Sequence, residues 1–239
     1  MTTLNKDTTD YSMLKETNFL KKVIKVHLGN FILKYKTPDY LVKDFNSIYE
    51  RLMKKKKLPL AHKNLAGKIK NEHSLYSVED TPIQGAKHPL VEVDKHHNFL
   101  SEAAFKFFSN VADHYLNIAR VKRYRYRLHS VWINEMKEGE YNPIHNHFGS
   151  SEIGLASILI LKLPKNYGEE ATNKDAPTNG QLAIVGNGGG QFYTSIYAPQ
   201  DLQEGDFLLF PYDVKHCVYP FKGKEKRRTL SANIDIHYT

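Results

Sequence analysis

Three histidines occupy positions from which their side chains could bind one metal ion. His145 and His147 lie two residues apart in the segment 141–149, and His216 follows far downstream, just after the apolar run 206–211. On an extended segment, residues two apart project to the same face, so both imidazoles of the first pair can reach one ion. Neutral imidazole is a ligand for iron, zinc, copper and nickel. The spacing therefore predicts a metal site made by His145, His147 and His216.

A late arginine offers a second kind of chemistry. Arg227 comes eleven residues after His216 and is followed by Arg228 and Thr229. On a strand, Arg227 and Thr229 share a face, and a guanidinium can bind a planar carboxylate through two hydrogen bonds. The pair is a candidate anchor for an anionic co-substrate, with Arg228 facing the other way. The alternative interpretation is a surface arginine pair at a sheet edge.

The elements that would position these residues are mostly strands. Polar and apolar residues alternate from 124 to 136, which predicts a long strand. Turn residues separate further candidate strands, around 142–148, 153–163, 181–186, 191–196, 206–211, 214–220 and 227–237. Many short strands with no helix between them predict an antiparallel barrel or sandwich.

Two helices are predicted before the strands. Apolar residues at helical spacing follow Pro38 and end near the lysine run 54–57, and a second apolar stripe extends from about Asn98 to Ala119. The lysine run fits a solvated helix end better than a nucleic-acid contact. Residues 19–35 could hold one or two strands. Residues 58–95 are predicted to be a long connection with little regular structure.

Two segments in the second half of the chain allow alternative interpretations. The segment 186–190 contains four glycines, but no helix follows it, so a hairpin between 182–185 and 191–196 is favoured over a phosphate cradle. The polar segment 165–180 is sixteen residues long, which is unusual in a compact domain. It could be a mobile lid over a substrate or a tolerated insertion.

Composition restricts the class of protein. Of the 239 residues, 41% are hydrophobic and 12% aromatic, which argues against disorder, and the net charge is +8. A basic balance suits nucleic acid, an acidic protein or an anionic co-substrate. Nucleic acid is not favoured, because no basic platform with interleaved aromatics is present. Cys217 is the only cysteine, which excludes an intrachain disulfide. We find neither a signal peptide nor a membrane span, and expect a cytoplasmic protein.

The order and surroundings of these residues resemble a known family. The resemblance covers roughly residues 130–235, with a weaker echo in Asn64-Leu65-Ala66-Gly67. Its residues are Trp132-Ile133-Asn134, Gly139, the segment 141–149, Glu204-Gly205-Asp206 with the apolar run to Pro211, His216, Val218-Tyr219-Pro220-Phe221 and the segment 227–233. Together they look like the 2-oxoglutarate- and Fe(II)-dependent oxygenases, in particular a prolyl-hydroxylase-like family common in bacteria and tailed phages.

The resemblance implies a fold and a domain organisation. The fold would be mainly β with α additions, in which a double-stranded β-helix (a jelly roll, as in cupins) forms the core and N-terminal helices pack outside it. Residues 1–18 are polar, and we expect them to form a flexible N-terminus. Residues 19–239 would be a single oxygenase domain, with helical and irregular support over 19–120 and the β-helix core over 121–239.

The resemblance also implies an activity. Fe(II) would be held by His145, His147 and His216, and 2-oxoglutarate would be bound by Arg227 and Thr229, with Asn134 as a further hydrogen-bond partner. With O₂ as co-substrate, 2-oxoglutarate would be decarboxylated to succinate while a C–H bond is hydroxylated. The first expectation for the substrate is a protein or peptide side chain, and a small molecule stays open. For a phage-encoded chain the compartment would be the host cytoplasm.

One departure from the family pattern leaves alternatives open. Oxygenases of this kind use two histidines and a carboxylate, and here His147 stands at the carboxylate position. Either His147 binds as a third imidazole, or it turns away and water or a carboxylate takes its place. Two other functions therefore remain: a cupin-type metal-binding barrel without 2-oxoglutarate chemistry, and a catalytically inactive interaction protein.

Overall fold

The computed structural model describes residues 31–61, 65–78, 96–169, 178–186 and 196–239. Within these ranges there are two helices, α1 (Asp39–Lys54) and α2 (Glu102–Ile118). The strands are β1 (Leu33–Lys36), β2 (Asn71–Ser77), β3 (His97–Asn98), β4 (Tyr124–Met136), β5 (Asn142–His145), β6 (Gly154–Lys162), β7 (Leu182–Val185), β8 (Ile196–Tyr197), β9 (Asp206–Pro211), β10 (Lys215–Val218) and β11 (Arg227–Tyr238). None of the helices in these ranges is long and apolar enough to cross a membrane.

The strands form two antiparallel sheets. The larger has the order β1-β9-β6-β11-β4-β2-β3, and the smaller has the order β5-β10-β7-β8. Apolar side chains of both sheets make one core cluster between them; among its members are Ile158, Leu208, Ile184 and Val218. The mainly β, jelly-roll class predicted from the sequence is confirmed. The sheet interior is therefore the space between the two sheets, and we call the faces that line it the inner faces.

Strand β6 shows why the larger sheet is buried on both sides. Its residues Ala156, Ile158 and Ile160 contribute to the core between the sheets. Leu155 and Leu159 point the other way and join a second core cluster. A strand covered on both faces needs apolar residues at nearly every position, which explains the uninterrupted apolar run of β6.

The second core cluster joins the helices to the outer face of the larger sheet. Phe45 of α1 and Phe108 of α2 share it with Ile133 and Phe207 of the sheet. The first helix ends at Lys54, and the lysines 54–57 are exposed, as expected for a solvated helix end. The second helix begins at Glu102, because the Ser101 hydroxyl accepts a hydrogen bond from the backbone amide of Ala104 and caps it.

The segment 58–95 was predicted wrongly, because it contains strand β2. This strand pairs with β4 along its length and with β3 at its end. Its sequence, Asn-Glu-His-Ser-Leu-Tyr-Ser, is mostly polar and does not carry the apolar alternation that identifies a strand. The second helix also starts later than predicted, because Asn98 belongs to β3.

Other sequence predictions hold in part or lie outside the described residues. Strand 124–136 is confirmed to the residue as β4, whereas the strand predicted over 142–148 ends at His145. In the predicted glycine hairpin, β7 does return to an antiparallel partner, with Val185 opposite Ile196. Residues 1–30, 170–177 and 187–195, and with them much of the predicted N-terminus, lid and hairpin, lie outside the described residues.

Candidate metal centre

His145 and His216 face each other across two paired strands. The register of β5 and β10 places them opposite one another, with ring centroids 4.3 Å apart. His147 lies just beyond the end of β5, where its backbone amide donates to the Tyr212 carbonyl. Its ring stacks parallel to that of His216 at 5.0 Å. One ligand nitrogen of each histidine lies within 4.8 Å of the other two, so the structure brings all three predicted metal residues together.

Each of the three imidazoles is oriented by a carbonyl acceptor at its Nδ1. The pairs are His145 with the Pro143 carbonyl at 2.7 Å, His216 with the Val214 carbonyl at 3.2 Å, and His147 with the Asn233 side-chain oxygen at 2.9 Å. A carbonyl only accepts, so each Nδ1 carries the proton and each Nε2 presents a lone pair. Such partners fix both the tautomer and the ring orientation of a metal ligand.

The orientation of Asn233 follows from its second hydrogen bond. Its amide nitrogen donates to the Phe148 carbonyl at 3.2 Å, which leaves its oxygen facing His147. His147 must then donate from Nδ1, and its Nε2 is the atom available to a metal ion. Asn233 is therefore the residue that turns the imidazole of His147 toward those of His145 and His216.

The spacing of the bare nitrogens fits a cation between them. The Nε2 atoms of His147 and His216 are 3.2 Å apart, and both present lone pairs. Two lone pairs at this distance repel unless a proton or a metal ion is shared. Burial and the His145 ring lower the pKa of His216 to about 3, and burial with the neighbouring histidines lowers the pKa of His147 well below its usual value. At neutral pH a metal ion is therefore the cation that suits the three nitrogens.

The ligand set contains imidazoles alone. No carboxylate of the described residues belongs to the group formed by His145, His147 and His216. Asp206, a carboxylate near His216 in sequence, is bound to Lys34 and Lys36 instead. Imidazole suits Fe(II), and a neutral ligand set leaves the charge of a divalent ion uncompensated. Such a centre favours an anionic ligand at any coordination position that the protein leaves open.

Arg227 lies on the inner face of the larger sheet. It is opposite Met136 of β4, and two residues on, Thr229 lies between Asn134 of β4 and Ile160 of β6. Since Ile160 belongs to the core between the sheets, all of these side chains face the interior. The interpretation of the arginines as a surface pair at a sheet edge is wrong, because β11 is a central strand and both arginines are buried.

The guanidinium of Arg227 is buried without a carboxylate. It is 2% exposed, and it contacts the Tyr167 hydroxyl and the Met136 sulfur. Its Nε has no hydrogen-bond partner, and within the described ranges no acidic side chain pairs with it. Burial lowers its pKa, although the contact with Tyr167 opposes this. A buried cation with spare donors is costly, so the site is suited to an anion that supplies the missing acceptors.

The inner face of β11 connects the two parts of the site. Along this face the residues are Asn233, Ser231, Thr229 and Arg227. Asn233 contacts His147 at the metal end, and Arg227 lies at the other end. Asn134, the third predicted co-substrate residue, is buried beside Thr229, and its amide nitrogen is 3.5 Å from the Ser231 hydroxyl. All six predicted site residues therefore border the same space between the two sheets.

Three residues of this interior were not identified from the sequence. The strand period puts Asn233 on the face of Arg227 and Thr229, but nothing local in the sequence pairs it with His147. Tyr167 lies in the polar segment 165–180, where nothing marks it. Glu72 lies in β2, the strand that was missed, and its buried carboxyl faces the same interior.

Comparisons with known proteins agree with this geometry. Residues 130–233 match a sequence family described as "Putative 2OG-Fe(II) oxygenase". No curated protein matches the chain. Among solved structures, a Pseudomonas putida prolyl-4-hydroxylase has 14% identity and a TM-score of 0.50, with 86% of this chain and 91% of that chain covered. The carbocyclase SnoK from nogalamycin biosynthesis has 12% identity and a TM-score of 0.51, with 88% and 82% covered.

The structural likenesses, at these identities, establish a shared fold. The sequence match is more specific, because its range contains the three histidines and both residues of the arginine anchor. In the matched segment and in its fold, the chain is therefore similar to the 2-oxoglutarate- and Fe(II)-dependent oxygenases.

Proposed function

We propose that this oxygenase hydroxylates a C–H bond, with Fe(II) held by His145, His147 and His216 and with the distal carboxylate of 2-oxoglutarate held by Arg227 and Thr229. One observation carries the proposal: a buried guanidinium without a carboxylate lies on the same interior as three converging imidazole nitrogens. Iron bound there would couple the oxidative decarboxylation of 2-oxoglutarate to the hydroxylation of the substrate.

The co-substrate anchor follows from the donors around Arg227. Its guanidinium can bind both oxygens of a carboxylate in one plane, which a lysine cannot do. The Thr229 hydroxyl lies on the same face and adds one hydrogen bond. Within the described ranges, the amide nitrogen of Asn134 has only a long contact to Ser231 and can donate to the same ligand. These groups exchange an unpaired buried charge for a paired one when the co-substrate enters.

Two of the remaining side chains position the metal ligands. Asn233 holds His147 with its Nε2 toward the centre. Trp132 lies beside the His147 ring, with centroids 5.8 Å apart, and limits where that ring can move. An imidazole fixed by both contacts serves as the third ligand in place of the usual carboxylate. This favours metal binding by His147 over the alternative in which it turns away.

For the primary substrate we propose a protein or peptide side chain. The support is the fold shared with the Pseudomonas putida prolyl-4-hydroxylase. A small molecule is the second candidate, supported by the equal likeness to a carbocyclase from nogalamycin biosynthesis. Incubation of candidate substrates with enzyme, Fe(II), 2-oxoglutarate and O₂ separates them, because the product gains the mass of one oxygen atom.

The direct test is 2-oxoglutarate binding and turnover. We expect the wild-type protein with Fe(II) to bind 2-oxoglutarate and release succinate, and Arg227→Ala to lose both. Arg125→Ala removes an exposed arginine from β4 and is the matched control. If the wild-type protein binds iron but not 2-oxoglutarate, the cupin-type alternative is correct. If it binds no metal, the protein is an inactive relative.

A further inference from the structure

A buried carboxyl on the inner face has no role in the proposed iron and co-substrate chemistry. Glu72 of β2 is 1% exposed. It is paired with Asn134 of β4. Asn134 is opposite Thr229 of β11, and Thr229 is opposite Ile160 of β6. Residues in such a row share one face of a sheet. The carboxyl therefore faces the interior, two strands away from the proposed co-substrate anchor.

The Glu72 side chain extends toward the smaller sheet. Its Oε1 contacts the backbone at Gly67, where a Cβ would collide with it, and the Asn142 side-chain oxygen would be 3.2 Å from the same Cβ. Asn142 begins β5, the strand of His145, and is opposite the core residue Val218. The carboxyl thus lies between the sheets, next to the strand that carries a proposed metal ligand.

This part of the interior contains hydrogen-bond acceptors without donors. Glu72 Oε2, Asn134 Oδ1 and Asn142 Oδ1 are buried, and none has a hydrogen-bond partner in the part of the chain that the structure describes. No cation in the described ranges compensates the carboxyl either. Burial and the negative charge of Glu140 raise the pKa of Glu72 to about 7. Three buried acceptors without partners in one part of the interior suit a ligand that supplies donors.

A second buried carboxyl of the same sheet shows what structural pairing looks like here. Glu135 is adjacent to Asn134 but points to the outer face, where Arg228 and Lys226 bind both of its oxygens. The fold can therefore provide cations for a buried carboxylate. At Glu72 it provides none among the described residues, although the lysine-rich chain has many.

We infer that Glu72, with the side-chain oxygens of Asn134 and Asn142, receives a positively charged nitrogen of the primary substrate, an ammonium or a guanidinium. Such groups carry three to five N–H donors and no acceptor, so they can donate hydrogen bonds to these three oxygens. An acidic or purely apolar substrate group would leave the three oxygens unpaired. The inference rests on the proposed function, since it names the substrate class of that same site. Glu72 is thus a specificity residue that selects basic peptides or small amines.

The test compares matched peptides on the iron- and 2-oxoglutarate-loaded protein. The probes are acetylated and amidated Gly-Xaa-Gly peptides with Lys, Arg, Gln or Glu at Xaa, together with free lysine and arginine. Binding is measured by ligand-observed NMR, and substrate-stimulated succinate release is measured in parallel. We expect the wild-type protein to prefer a Lys or Arg probe over the Gln peptide by about tenfold or more. The peptides and the free amino acids distinguish a peptide substrate from a small amine.

Glu72→Gln should reduce this preference to within about twofold while the 2-oxoglutarate dissociation constant stays within about twofold of wild type. Glu138→Gln removes the same charge from an exposed position and should keep the preference. Asn142→Ala removes another of the three acceptors without altering Glu72 and should weaken binding of the cationic probe severalfold.

The outcomes separate the two proposals. A wild-type protein that binds no cationic probe, or that binds the Gln or Glu peptide as well as the Lys and Arg peptides, overturns the inference. So does an unchanged preference in Glu72→Gln. Each of these results leaves the proposed function intact, provided that 2-oxoglutarate binds. A wild-type protein that binds no 2-oxoglutarate overturns the proposed function instead.

Discussion

The two faces of the larger sheet differ in the partners that they offer to neighbouring charged residues. Arg227 and Arg228 are adjacent in β11, and both are buried. On the outer face, Arg228 binds Glu135 at 2.6 Å, reaches Glu50 of α1 and stacks over the Tyr49 ring. On the inner face, Arg227 has no acidic partner among the described residues. The outer charges form a closed network that ties α1 to the sheet, whereas we propose that the inner charges bind ligands.

The pKa values of the two buried carboxyls express the same difference. Burial raises the pKa of Glu135, but hydrogen bonds from Lys226 and Arg228 outweigh it and hold the pKa below its usual value. Burial and the negative charge of Glu140 raise the pKa of Glu72 to about 7, and no cation of the described residues opposes this. Similar burial therefore has opposite consequences, because in the described part of the chain only the outer face supplies counter-charges.

The largest effect is expected on the outer face. Arg228→Met removes one side of a buried ion pair and leaves Glu135 with Lys226 alone, which should lower the free energy of unfolding by about 3–5 kcal/mol. The affinity for 2-oxoglutarate should stay near that of wild type. Urea unfolding and isothermal titration measure the two quantities. A stable Arg228→Met protein with weakened co-substrate binding would contradict the separation of the two faces.

Arg227→Met is the matched change on the inner face. It should weaken 2-oxoglutarate binding by about a hundredfold or more, because the carboxylate loses its bidentate partner. The free energy of unfolding should stay the same or rise, since an unpaired buried cation is replaced by an apolar side chain of similar length. The same two measurements apply. A loss of stability as large as that of Arg228→Met would mean that Arg227 has a structural partner.

The pH dependence of stability should reveal Glu72. Its pKa is higher in the folded protein than in the unfolded chain, so protonation favours folding and stability is lost as pH rises from about 4.5 to about 7. A shift from 4.5 to about 7 corresponds to roughly 3 kcal/mol. Glu72→Gln should remove the loss and be more stable than wild type at pH 8, but not at pH 4. Stability is measured by thermal unfolding of both proteins from pH 4 to 8. If the Tm of Glu72→Gln changes with pH in the same way as that of wild type, the prediction is wrong.

The smallest effect is expected for the hydrogen bond between Asn233 and His147 on the inner face. Asn233→Ala removes the acceptor that orients His147 and should weaken Co(II) binding, measured by titration of its visible absorption, by about 10- to 100-fold. Asn233→Asp keeps an acceptor and should retain most of the affinity. Ser231→Ala, on the same face but without contact to His147, is the control. Equal affinity in Asn233→Ala and wild type would remove His147 from the proposed ligand set.

Much of this organisation could be predicted from the sequence. The alternation over 124–136 defined β4, and helical spacing after Pro38 defined α1. The spacing of His145 and His147, and that of Arg227 and Thr229, put each pair on one face. These features are local: the period of a strand or helix acts between residues that are close in the chain, so it can be recognised without knowing the partners.

The tertiary structure decided which strands pair and therefore which side chains meet. The pairing of β5 with β10 put His216 opposite His145, and the pairing of β2 with β4 brought Glu72 into the interior. The polar sequence of β2 gave no local signal for a strand, because its inner face carries the polar residues Glu72 and Ser74. The strand period already put Arg227 and Arg228 on opposite faces. Which face meets the ion-pair network and which meets the interior was decided by strand register, since one residue along a strand moves a side chain from one face to the other.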